Sequence, residues 1–91
     1  MKEKIIETAG KTWRTLGERG EATISEIAKV LNEREDLVNQ AIGWLAREDK
    51  LKIANKQNKT LFSLAESEMQ SFRNLYRNMA KEAKDSPRQK R

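Results

Sequence analysis

Residues 23–64 read TISEIAKVLNEREDLVNQAIGWLAREDKLKIANKQNKTLFSL, and the order of patterns inside this stretch decides the fold. Thr23 and Glu26 have the spacing of a capping box, in which each side chain satisfies a free amide at the start of a helix. Ile24, Ile27, Ala28 and Leu31 then recur on one narrow stripe, with Glu26 and Lys29 outside it. Asn32 can adopt the left-handed conformation that ends such a short helix. A second helical pattern runs from about Glu35 to Glu48, with Val38, Ala41, Ile42 and Leu45 on an inner stripe and Leu37 and Trp44 on an adjoining one. Glu35 and Asp36 fall in its first turn, where negative charge complements the helix dipole. The short turn between the two helices is what a helix-turn-helix requires.

After Asp49 and Lys50 the period changes. Leu51 to Ala54 alternate apolar with polar or small residues, Asn55 to Lys59 form a polar turn, and Thr60 to Leu64 resume an extended pattern, so a hairpin is expected. Ala22 and Thr23 are candidates for a third, minimal strand. Upstream, Ile5, Ile6, Ala9, Trp13 and Leu16 fall on one face of a first helix, which Gly17 is expected to stop by taking a left-handed C-terminal position. Three helices followed by a hairpin make a mainly α winged helix-turn-helix with a small β hairpin, assigned to residues 1–65.

Ala41 Ile42 Gly43 Trp44 Leu45 Ala46 Arg47 Glu48 Asp49 Lys50, together with Ala9 Gly10 Lys11 and Trp13 on the first helix, resembles a family of small stand-alone winged helix-turn-helix proteins of bacteria and archaea, a domain family of unknown function. The similarity runs from about Ile5 to Leu64. It implies the fold but brings no ligand and no catalytic residue, so function has to be argued from the side chains themselves.

Composition narrows that argument. The chain has 91 residues, no Cys and no His, which removes disulfides, thiol nucleophiles, Cys/His zinc sites and the commonest general base. With 36% hydrophobic and 5% aromatic residues, there is material for a modest core and none for a large enzyme cleft. Gly10 Lys11 Thr12 ends like a phosphate-binding loop, but Ile5 stands where that loop needs its first glycine, and no strand precedes it. Close backbone packing is the expected reason for Gly10. No pattern pairs two carboxylates in an apolar pocket. The protein is therefore expected to be non-enzymatic and to use no cofactor or metal. No apolar run is long enough for a membrane span or signal peptide, so the expected location is the cytoplasm.

Nineteen Lys and Arg against fourteen Asp and Glu give a net charge of +5, and the excess is unevenly placed. From Lys50 to Thr60 there are four lysines and no acid, whereas from Glu33 to Asp49 five acids oppose two arginines. The wing therefore has the charge for phosphate contacts, supplied by Lys52, Lys56 and Lys59. The third helix offers Asn39, Gln40 and Arg47 for base edges or phosphate behind an acidic front. Double-stranded DNA is the expected partner, with transcription regulation or chromosome association as the role. The competing reading is a protein-interaction adaptor that uses Leu37, Trp44 and the C-terminal helix.

That last helix, residues 66–84, carries Met69, Phe72, Leu75, Tyr76, Met79, Ala80 and Ala83 within an arc of about 140° at helical pitch. Ser67 and Gln70 offer it a capping box. Met69, Phe72, Tyr76, Met79 and Ala83 alternate at spacings of three and four, the pattern of a short coiled-coil seam, so pairing with a second copy is expected. Docking back onto Leu37 and Trp44 of the same chain is the alternative. Arg73, Arg77, Lys81 and Lys84 line one flank, and residues 85–91 form a flexible basic tail.

Overall fold

A computed structural model of the chain describes residues 2–84, with side chains as far as Arg77. The basic tail and the side chains of Met79, Lys81, Ala83 and Lys84 lie outside the described residues. Helix α1 spans Lys2–Arg19, α2 Ile24–Leu31, α3 Glu35–Arg47, strand β1 Leu51–Lys56, β2 Lys59–Leu64 and α4 Glu66–Lys84. None of the described helices is long and apolar enough to cross a membrane.

The first helix does not stop at Gly17. It continues to Arg19, and Gly20, at φ 91°, makes the left-handed exit, with its amide donating to the Leu16 carbonyl at 2.8 Å. Gly17 lies inside the helix, and the ring of Phe72 lies on it: a Cβ at this position would meet three ring carbons inside 3.0 Å. The buried face of α1 also differs from the expected one. Thr8, Ala9, Thr12, Thr15 and Leu16 are buried, while Ile6 is 44% exposed. This face packs chiefly on α3, and small side chains let two helix axes come close. A threonine methyl packs as an apolar group in such a contact; Thr15 Oγ1 donates back along the helix to the Lys11 carbonyl at 2.9 Å, whereas Thr12 Oγ1 is buried with no hydrogen-bond partner among the described residues. Gly10, by contrast, meets nothing among the described residues: its missing Cβ would stand in open space, so no described backbone packs against it.

The helix-turn-helix forms as its local signals dictate. Glu26 N donates to Thr23 Oγ1 at 3.1 Å and Thr23 N to Glu26 Oε1 at 2.9 Å, and that backbone bond holds the Glu26 carboxyl below its ordinary pKa. Asn32 takes φ 56°, and the Glu33 amide closes the turn on the Ala28 carbonyl at 3.0 Å. In α3, Arg34 offers no side-chain cap, and Asp36 accepts from the Leu37 amide at 2.8 Å instead. The helix ends at Arg47, with Asp49 left-handed at φ 59°. Leu16, Ile27, Val38, Ile42, Phe62 and Leu64 centre the core, and Ala9, Ala41 and Leu45 form a second cluster between α1 and α3.

Strands β1 and β2 are longer than their pattern predicts and the turn is correspondingly shorter. Asn55 pairs with Thr60 and Lys56 with Lys59, leaving only Gln57 and Asn58, at φ 51° and 66°, to reverse the chain. Two consecutive positive φ values match the right-handed twist of a two-residue hairpin, and Thr60 Oγ1 donates to Asn55 Oδ1 at 3.0 Å across it. Polar residues read as loop are thus paired strand residues on a solvated wing. Ala22 bridges Phe62 through reciprocal bonds of 3.0 and 2.9 Å, a third strand reduced to a single residue.

Helix α4 begins at Glu66, so Ser67 and Gln70 lie inside it and not at a cap. It folds back on its own chain, and among the described residues its main contacts are with α1 and β2, not with Leu37 and Trp44 of α3. Met69 and Phe72 pack on the main core, Trp13 Nε1 donates to Glu68 Oε1 at 2.8 Å, and the Trp13 and Phe72 rings meet edge to face at 5.6 Å. The receiving surface is α1 and β2, where the Phe72 ring occupies the space left by the missing Cβ of Gly17.

Candidate nucleic-acid interface

Strand parity sorts the wing into two faces. Leu51, Ile53, Phe62 and Leu64 share the inner face, and Phe62 and Leu64 are buried in the core. Lys52, Lys56 and Lys59 share the outer one, through the pairs Lys52 with Ser63 and Lys56 with Lys59. All three are exposed. The hairpin therefore collects on one surface the cations that its sequence spreads over eight positions. Lys56 is partly engaged, with Nζ 3.5 Å from Glu21 Oε1, an exposed pair that solvent screens.

On α3, Asn39, Gln40, Gly43 and Arg47 form one exposed face, opposite buried Val38, Ala41, Ile42 and Leu45. A Cβ at Gly43 would meet nothing within 4 Å, so the helix backbone itself is accessible at the middle of this face. Asp36 at its front is bound by Arg34 Nη2 at 3.1 Å as well as by the Leu37 amide, which ties that carboxylate to helix initiation. Among the described residues, no hydrogen bond or ion pair joins Asn39, Gln40 or Arg47 to the wing lysines. Lys52 is instead brought to Arg19 and Arg73, with which it lines one cleft. Arg19 carries no sequence signal beyond its charge, because its place beside the wing depends on how α1 crosses the sheet.

Residues 1–65 match the family described as a winged helix-turn-helix domain, DUF2582. The chain belongs to this family. An uncharacterized protein of Methanocaldococcus jannaschii, MJ1608, is 44% identical over 64 residues, which are 67% of this chain and 90% of that protein. The solution structure of BT2368 from Bacteroides thetaiotaomicron is similar at 35% identity and a TM-score of 0.63, covering 70% of this chain and 79% of that one. The adhesin competence repressor AdcR of Streptococcus pyogenes shares the fold at a TM-score of 0.61 and 23% identity. That likeness covers 85% of this chain, which spans 63% of AdcR.

The match to the winged helix-turn-helix family ends at residue 65, and α4 begins at the next residue. Of the five seam positions on α4, Met69 and Phe72 are occupied within the chain, and Tyr76 is 62% exposed, stacked on Phe72 at 6.0 Å. Leu75 is 53% exposed. Leu37 and Trp44 are both half-buried, Trp44 against the Ala9, Ala41 and Leu45 cluster. The run Gly10 Lys11 Thr12 lies in the middle of α1, where its amides are committed to the helix and cannot cradle phosphate. Among the described residues, no three His, Cys, Asp or Glu side chains stand together as a metal site.

Proposed function

We propose that this protein is a non-enzymatic DNA-binding regulator of transcription that grips duplex DNA with its wing and presents α3 to the major groove. The observation that carries the reading is the single outer face of the hairpin holding Lys52, Lys56 and Lys59. A winged helix offers its third helix to the groove and its hairpin to the backbone, and lysines there displace condensed counterions. On α3, Asn39 and Gln40 have amides suited to adenine edges, and Arg47 suits guanine or phosphate. The fold shared with a protein named a repressor supports the same class of function. The adaptor reading has less support, since Leu37 and Trp44 are only partly exposed.

The test is binding of duplex DNA across a salt series, for the natural chain and for K52A/K56A/K59A. The natural chain is expected to lose affinity steeply with salt. The variant is expected to bind more weakly, with its log–log slope flattened by about 0.9 for each phosphate contact removed. An unchanged slope would remove the wing from the interface.

A two-fold dimer is part of this reading, because it would set two wings at a fixed spacing on a palindromic site. Its support is α4: beyond Phe72 its apolar residues Leu75 and Tyr76 stand exposed. Tyr76, Met79 and Ala83 are the proposed contacts, extending the seam past docked Met69 and Phe72. Sedimentation equilibrium at micromolar concentration is expected to give a dimer for the intact chain and a monomer for L75E/Y76E. A monomeric intact chain refutes the pairing.

A further inference from the structure

The cleft that joins Lys52 to Arg19 and Arg73 has a volume of about 400 Å³ and is also lined by Glu21, Ser63 and Glu66. An adjoining groove of about 480 Å³ between the end of α1 and α4 shares Arg19 and Arg73 and adds Tyr76 and Arg77. Four cations thus follow one another from the base of the wing along α4. The acids beside them are largely committed elsewhere: Glu21 faces Lys56, and Glu18 lies 3.5 Å from Arg14 Nε. Glu66 sits in the first turn of α4, where the free helix amides favour a carboxylate. Arg19, Lys52, Arg73 and Arg77 are all exposed and form no ion pair among the described residues. Arg19 also faces the Glu26 carboxylate, which it helps the Thr23 amide to hold in its charged form, and with Glu66 in the cleft the result is a strip of net positive charge, continuous with the outer face of the hairpin through Lys52.

The strip has the chemistry of a polyanion track. Arg73 and Arg77 stand one helical turn apart, about 6 Å along the axis, and a guanidinium presents a planar fork that matches phosphate oxygens in pairs. A single small anion would engage one or two of these groups. A row extending from a strand face onto a helix fits a linear array of charges.

We propose that Lys52, Arg19, Arg73 and Arg77 form a second phosphate-binding track, which holds the sugar-phosphate backbone of duplex DNA beyond the wing. This rests on the DNA-binding reading above and adds to it a surface away from the α3 face, with Arg19 and α4 as participants. It also gives α4 two flanks of different use, with the basic flank toward DNA and exposed Leu75 available for pairing.

The test compares the full-length chain with R19Q/R73Q/R77Q and with K2Q/K4Q/K11Q, which removes the same charge from α1 away from the strip. Lys52 is left in place so that the wing stays intact. All six side chains are exposed, and unchanged thermal melting verifies that each variant folds. With duplex DNA, the track variant is expected to lose about two to three units of log–log salt slope, and the control less than one. If the natural chain shows no salt-dependent affinity for DNA, the DNA-binding reading fails and the track with it. If the natural chain binds and the two variants have equal slopes, only the track is overturned, since net charge alone would explain the loss. Retained DNA slope in the track variant, with lost binding to an acidic polypeptide, would reassign the strip to a protein partner and likewise overturn the proposal.

Discussion

Replacing Leu64 with alanine is expected to cost about 2–5 kcal/mol of folding stability, against a total of about 5–15 kcal/mol for a natural domain. Leu64 is 1% exposed, closes β2 opposite Leu51, and packs in the cluster that contains Leu16, Ile27 and Val38. Its removal leaves a cavity where hairpin and helices meet. With Phe62, which is buried in the same core and bridges Ala22, Leu64 anchors the base of the wing, whose outer half is solvated: every residue of β1 after Leu51 is exposed. Urea denaturation is expected to show a lower midpoint at an unchanged slope, with DNA affinity falling only as far as the folded fraction falls. Leu64→Met, which keeps the volume, is expected to cost less than about 1.5 kcal/mol. A loss below about 1 kcal/mol for the alanine variant would show that the hairpin is anchored elsewhere.

Gly17→Ala is expected to reverse the usual sign of its class. In a helix interior the change normally stabilises by about 1 kcal/mol. Here the added methyl would meet Cγ, Cδ1 and Cε1 of Phe72 inside 3.0 Å. The ring cannot simply swing aside, because Trp13 packs on it edge to face and Tyr76 stacks against it. Moving it undocks the start of α4, so a net destabilisation of about 1–3 kcal/mol is expected. The control is the same change in a Phe72→Ala background, where the obstruction is gone and Gly17→Ala should stabilise. Equilibrium denaturation of the four proteins gives the coupling directly. Destabilisation of equal size in both backgrounds would refute the contact.

Much of the architecture is legible along the chain because it is local. The capping box of Thr23 and Glu26, the left-handed Asn32 and the dipole-facing Asp36 act within a few residues of themselves, and the stripe of Val38, Ala41, Ile42 and Leu45 needs only helical pitch to be recognised. The candidate site is half local in the same sense. Lys52 and Lys56 share a face because strand period is two, but only the pairing register brings Lys59 of β2 onto it beside Lys56, and the two-residue Gln57–Asn58 turn sets that register.

What no period could reveal depends on how elements cross. The burial of Thr8, Thr12 and Thr15 over the more hydrophobic Ile6 follows from which face of α1 meets α3. Gly17 reads as a helix stop until Phe72, far along the chain, fills the space its missing Cβ leaves. The bond from Trp13 to Glu68 and the meeting of Arg19 with Lys52 and Arg73 likewise join distant residues. Backbone preferences, caps and charge near helix ends are set by neighbours three or four residues apart, so the order of residues alone determines them. Contacts between elements are selected by shape, from the fit of one packed surface on another, and only the folded chain contains that surface.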